Sequence, residues 1–302
     1  MSVKLSRLLT IIICLLGIGG IARLGLSLKH RHSQTQQSYE IERANSLFER
    51  QQYSQAVAAY DRLLQTDIDR SFALWTNRGY ALFGLNRYRA ALESCTKATT
   101  LNPQAAFAWN CQGEALYYLN KPDNALKAFE RAISLKPERA VFRLNQSQIL
   151  VDFGQFKLAV AASKKAIALL RSQSQTPDTN GNLALAWQLQ GYSFLGLQQN
   201  QQALAAFNKA LEHRADNLSA QQGKGIALYR LGQYQKAIAT FSQILERQDL
   251  TPEQEAINWL YQGISLCQTP QINVANQVFG RILQLTNDSE LQKMASAGCG
   301  VR

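Results

Sequence analysis

The chain has 302 residues, 46 % apolar and 18 % charged, with a net charge of +11. It is too apolar for a disordered tail, and its five cysteines are too few for a small disulfide-built scaffold. Only one segment is apolar enough to be considered for a bilayer crossing, which excludes a multi-span transporter. Glutamine, 33 residues of the 302, makes up for the missing charge.

Residues 1–32 stand apart. They hold Lys4, Arg7, Arg23, Lys29 and Arg31 and no acid. Leu8 to Ala22 is uncharged, about 22 Å long as a helix, against a bilayer core of about 30 Å. As an anchor it would run from about Leu5 to Leu28 with its arginines snorkelling. As a signal peptide it would be cut after Gly20-Ile21-Ala22. The basic residues just past the apolar part favour the anchor. Positive charge is balanced on its two sides, so it does not orient the chain. Cys95, Cys111, Cys267 and Cys299 show no framework spacing and no C-x-x-C. That reads as unpaired thiols and leans the body toward the reducing, cytoplasmic side. Cys95 and Cys111 flank a junction where they could lie close together as small core residues.

The body repeats. Each tryptophan precedes a glycine by four residues: Trp75 and Gly79, Trp109 and Gly113, Trp187 and Gly191, Trp259 and Gly263. Twelve residues after each glycine stands an alanine: Ala91, Ala125, Ala203 and Ala275. Gly225 and Ala237 repeat the spacing, as do Ala44 with Ala56 and Ser147 with Ala159. The units in chain order are 37–70, 72–105, 106–139, 140–173, 184–217, 218–251 and 256–289. Apolar residues recur at three and four within each half, so each half is an amphipathic helix. Breaks near 84–87, 120–122 and 232–233 separate the halves. A lone helix pair cannot bury its apolar face, so the units must stack. Residues 174–183, with Pro177, Asp178, Asn180 and Gly181, interrupt the period as a polar loop that could divide the array into 37–173 and 184–289. Thr251-Pro252-Glu253-Gln254 reads as a capping box that starts the seventh unit early. In the tail, 290–302, only Leu291 and Met294 can cover the last apolar face. That thin cap leaves the C-terminal end open to self-association.

These units resemble tetratricopeptide repeats. Residues 106–139 match that pattern best, through Trp109, Gly113, Ala125, Phe129, Ala132 and Pro137. The resemblance implies an all-α fold: a tetratricopeptide-type solenoid, a right-handed superhelix of antiparallel helix pairs, here with one N-terminal transmembrane helix. It also implies a concave groove lined by the first helices. Carried over position by position, the groove includes Asn45, Phe48, Tyr80, Phe83, Asn110, Glu114, Tyr117, Gln148, Gln188, Tyr192, Gln222 and Tyr229. These side chains either meet an extended peptide or helix of a partner or pack between units. The family's carboxylate clamp is incomplete: Asn45 and Asn77 match it, but Ile41, Phe107 and Cys111 stand where cations belong, so a chaperone-tail clamp is not expected.

Units two to four hold fourteen basic and six acidic side chains, a net +8. Arg87, Arg89, Lys164, Lys165 and Arg171 are the main contributors. They form either a solvated face or a surface for anionic lipid or an acidic partner. No metal-ligand spacing, phosphate loop or nucleophile motif occurs. His30, His32 and His213 read as surface residues, and Glu114 and Asp123 have no acid/base partner. No enzyme and no cofactor are expected. The expectation is a membrane-anchored protein-interaction scaffold, narrowed by architecture to an assembly factor for a membrane complex. The alternatives are an exported adaptor with its leader cut, a noncatalytic subunit of an enzyme and, more weakly, a helical-repeat RNA binder.

Overall fold

The structure is a computed structural model and describes residues 35–65, 71–172 and 176–300. Both readings of the N-terminal segment, anchor and signal peptide, lie outside those residues. Among the described residues no helix is long and apolar enough to cross a membrane.

The chain forms two compact units that meet in sequence at Lys121 and Pro122. The first contains α1 (35–49), α2 (Tyr53–Leu64), α3 (Phe72–Gly84), α4 (Tyr88–Leu101) and α5 (Ala106–Tyr118). The second contains α6 (Pro122–Leu135), α7 (Ala140–Asp152), α8 (Phe156–Arg171), α9 (Pro177–Gly196) and α10 (Asn200–His213). It continues through α11 (Leu218–Arg230), α12 (Tyr234–Leu245), α13 (Pro252–Leu266), α14 (Ile272–Leu285) and α15 (Ser289–Ala297), and ends in a 3-10 turn at Gly298–Gly300. All secondary structure among the described residues is helical. Within each unit, consecutive helices pack on one another and first helices touch first helices, as α3 with α5 and α7 with α9.

The turn inside each pair is built the same way six times. Gln51, Asn86, Asn120, Gly154, Gln198 and Gly232 all have φ between 56° and 72°. The residue after each donates its N–H to a carbonyl five back, as Arg87 to Leu82 and Gln233 to Leu228, both 2.9 Å. This is the left-handed helix ending that glycine and asparagine adopt cheaply. The seventh unit has Pro270 at this position, where φ is fixed near −65°.

In three units the small residue of the first helix admits a ring from its own second helix. A Cβ on Gly191, Gly225 or Gly263 would lie 2.5–2.7 Å from the rings of Phe207, Phe241 and Phe279 respectively. At Gly79 the ring's place is taken by Cys95. The smaller side chain leaves room that Cys111 of the next unit fills.

Those two sulfurs are bonded, joining α4 to α5, with Cα atoms 5.8 Å apart. Cys267 at the end of α13 is bonded to Cys299 in the terminal turn, Cα atoms 5.3 Å apart. The reading of unpaired thiols is therefore wrong. Separations of 16 and 32 residues match no framework spacing, and only stacking brings the pairs together. The cytoplasm-facing placement rested on free thiols and loses that support.

Two further expectations are corrected. Residues 177–183 are not a loop but the opening turns of α9. Thr176 accepts from the N–H of Thr179 at 3.1 Å, with Pro177 in the first turn, a start signal of the same kind as Thr251-Pro252. One apolar cluster, including Ile167, Leu170, Leu183 and Leu189, runs from α8 into α9, so the insertion does not divide the array there. The tail is likewise a helix. Asp288 accepts from the N–H groups of Glu290 and Leu291 at 2.8 and 3.0 Å, and α15 buries Leu291 and Ala295 against the last pair. Met294, the second residue read as covering this face, packs against the same cluster. What stays exposed at this end is apolar surface of α14 at Ile272, Val274 and Leu283. The capping box at Thr251 and Gln254 is present as read.

Candidate functional site

The carried-over residues all lie on first helices. In the first compact unit Asn45 and Phe48 are on α1, Tyr80 and Phe83 on α3, and Asn110, Glu114 and Tyr117 on α5. In the second, Gln148 is on α7, Gln188 and Tyr192 on α9, and Gln222 and Tyr229 on α11. Asn110 is buried and the others are half-buried.

Many of their polar groups bind neighbouring helices. Tyr60 and Asn77 both donate to the side-chain oxygen of Asn45, at 2.7 and 3.1 Å. Tyr80 donates to the carbonyl of Phe107 at 3.1 Å and accepts from Asn110 at 2.9 Å, while Asn110 also donates to Glu114. Burial, reinforced by the charge of Glu114, raises the Tyr80 phenol well above its ordinary value. Gln188 accepts from Asn217 at 2.9 Å and Tyr192 donates to the carbonyl of Ser219 at 2.7 Å. Gln148 donates to Asp152 on its own helix. These bonds lock side chains across seams and hold the faces of the rings in fixed positions.

Sequence reasoning missed the aromatic cluster at the end of the first unit. Tyr118 is 52 % exposed. It stacks on Tyr88 at 4.7 Å, and its edge contacts reach Phe83 and Tyr117 at 4.9 Å each. Tyr88 and Tyr118 fall outside the positions carried over from the family. Their signal is the adjacent pair Tyr117-Tyr118 one helix beyond Phe83.

The basic residues are exposed: Arg87 and Arg89 at the start of α4 in the first unit, and Lys164, Lys165 and Arg171 on α8 in the second. Arg171 lies over the Trp187 ring at 5.4 Å. A polar cavity of about 990 Å³ opens beside the added turns of α9. Four of its charges are paired with each other, Arg214 with Asp216 at 3.1 Å and Arg247 with Asp249 at 2.7 Å, and Asp178 also lines it. Among the described residues no cluster of histidine, cysteine, aspartate and glutamate suits a metal ion.

Family models agree with the geometry. A model described as tetratricopeptide repeat matches residues 41–106 and 189–253, and a second of that description matches 106–139. No protein of curated function matches the chain in sequence. In fold it is similar to a chain of the APC/C hetero-tetramer Cut9-Hcn1, at a TM-score of 0.66 and 17 % identity, covering 84 % of this chain but only 47 % of that longer one. It is similar to pilF of Pseudomonas aeruginosa, at 0.61 and 15 %, covering 77 % of this chain and 99 % of that one. It is also similar to YrrB, a tetratricopeptide repeat protein with an unusual peptide-binding site, at 0.50 and 21 %, covering 68 % and 98 %. None of these matches indicates an enzyme family. Together the two models cover more than half of the sequence, and the chain belongs to the tetratricopeptide repeat family.

Proposed function

We propose that this protein is a noncatalytic scaffold that holds a segment of a partner protein against the first helices of its repeats. The observation that carries the reading is the aromatic cluster of Phe83, Tyr88, Tyr117 and Tyr118. It offers rigid apolar area on a helix pair already fixed by hydrogen bonds, so little ordering entropy is lost on binding. The peptide-binding site named for YrrB supports the same use of the fold.

The test is a pull-down of tagged full-length protein from detergent-solubilised native membranes, read by mass spectrometry. Its control is Tyr117→Ala with Tyr118→Ala. Tyr80 and Tyr192 are poor choices because each bonds across a seam and its truncation disturbs the stack. A stoichiometric partner lost in the double variant supports the scaffold. A partner retained by that variant overturns the aromatic site.

A second reading concerns compartment. The four body cysteines form two bonded pairs, and such bonds persist in oxidising compartments. This favours a body on the exported side, either held by residues 1–32 as an anchor or released by cleavage. The narrower role of assembly factor rests on the plan of a leading apolar segment followed by repeats. An intact-mass measurement separates the anchored form, which begins at Met1, from a cleaved one that begins near Arg23.

A further inference from the structure

The seventh residue of successive units is polar throughout the body: Arg78, Gln112, Gln146, Gln190, Lys224 and Gln262. Its counterpart is the twenty-fifth residue of the preceding unit. At three seams the two are hydrogen-bonded: Arg78 to Asp61 at 2.6 Å, Gln112 to Thr96 at 3.0 Å and Gln262 to Ser242 at 2.6 Å. At the other three seams, which match Gln146 with Glu130, Gln190 with Lys164 and Lys224 with Asn208, no hydrogen bond joins the two. Between α8 and α9 both Gln190 and Lys164 line a cavity of about 510 Å³.

The cavity has unmet polar needs inside apolar walls. Gln190 is only 6 % exposed. The indole N–H of Trp187 is out of contact with solvent and has no acceptor. Ile167, Phe194 and the Trp187 ring supply the apolar walls, and Lys164 and Arg171 bring two cations to the lining. Gln190 makes no side-chain hydrogen bond and lines the cavity, and a nearly buried amide without a partner costs free energy that a ligand can recover. A carboxylate would accept from the Gln190 amide and pair with the cations. A short apolar body would fill the space between Ile167 and Phe194. A neutral or cationic ligand of the same shape would forgo the pairing with Lys164 and Arg171.

We propose that this cavity binds a carboxylate carried on a short apolar or aromatic body. The source is either a free organic acid or the C-terminal residue of a partner protein. The site is separate from the aromatic cluster and does not depend on it.

Calorimetry on the full-length protein with 3-phenylpropanoate, 3-phenylpropanol and 3-phenylpropylamine tests it. The acid is expected to bind at least tenfold more tightly than the alcohol, with the amine weakest. Lys164→Glu, on an exposed position, is expected to weaken the acid at least tenfold while leaving helicity and melting unchanged. Gln190→Leu removes the amide at nearly constant side-chain volume and is expected to weaken the acid at least tenfold. A peptide ending in phenylalanine, as free acid and as amide, separates the sources. A free-acid peptide tighter than 3-phenylpropanoate, with a silent amide, assigns the site to a protein C-terminus; the reverse order assigns it to a small acid. Absence of heat from both acids at millimolar concentration overturns the proposal. So does equal binding of acid and alcohol, or indifference to Lys164→Glu.

Discussion

Tyr192 on α9 donates its hydroxyl to the backbone carbonyl of Ser219 on α11, at 2.7 Å, so a residue carried over as a ligand contact serves as a strut between repeats. Its ring also meets Phe207 edge-on at 5.1 Å. Tyr192→Phe keeps the ring and removes the strut. It is expected to cost about 1 kcal/mol and lower the melting temperature by roughly 2–4 °C, with partner binding unchanged. A variant that melts like the parent but loses its partner would make Tyr192 a ligand contact.

Stability is expected to fail on the alkaline side. Burial pushes the phenol of Tyr60 up to about 12, against the lowering effect of its hydrogen bond with Asn77. Burial also raises Tyr80 and Tyr192. The folded chain keeps these protons where the unfolded chain, titrating near pH 10, loses them. Their contribution is complete below about pH 10 and declines as pH rises from there toward 12. Phenolate absorbance followed with circular dichroism should show these three of the eleven tyrosines titrating only as helicity is lost. Titration of all eleven before any loss of helicity would refute this.

Two glycines should respond in opposite senses to alanine. A Cβ on Gly225 would stand 2.5 Å from the Phe241 ring, and Gly225→Ala is expected to cost about 1–3 kcal/mol through overpacking. Gly280, exposed within α14, has nothing within 4 Å of its Cβ direction. Gly280→Ala is expected to stabilise by roughly 0.5–1 kcal/mol through helix propensity. Thermal melts of the two variants decide it.

The C-terminal cap is expected to depend on Cys267 and Cys299. Thiol titration of the denatured, unreduced full-length chain should find Cys14 alone, and none if the leader is removed. Cys299→Ser removes a crosslink over 32 residues, worth about 4 kcal/mol in the chain-entropy picture. Hydrogen exchange is expected to rise in α15 first. Four reactive body thiols in the parent would refute the pairing.

The helix pairs were legible in the sequence because small and apolar residues recur at fixed spacing, and the same spacing located the turns at Asn86, Asn120 and Gly232. The start of α9 was also written locally, in Thr176-Pro177-Asp178, but those polar residues look the same in a loop. The candidate site was legible only in part. Sequence placed amides and aromatics on first helices. It did not reveal that Asn45, Tyr80 and Gln188 bond to neighbours 15 to 32 residues away, because those partners are set by how one repeat sits on the next.

By itself the sequence determined the period of the repeats, their register and the helix pairs within them, since those follow from periodicity and local caps. Tertiary structure alone decided that Cys95 meets Cys111, that Cys267 meets Cys299, that α15 closes the last pair, and that Gln190 and Lys164 face a cavity. Each of these depends on a distance between repeats, fixed by the volumes packed at the seam. A cysteine where units five to seven carry phenylalanine puts a sulfur beside Cys111 without altering the period.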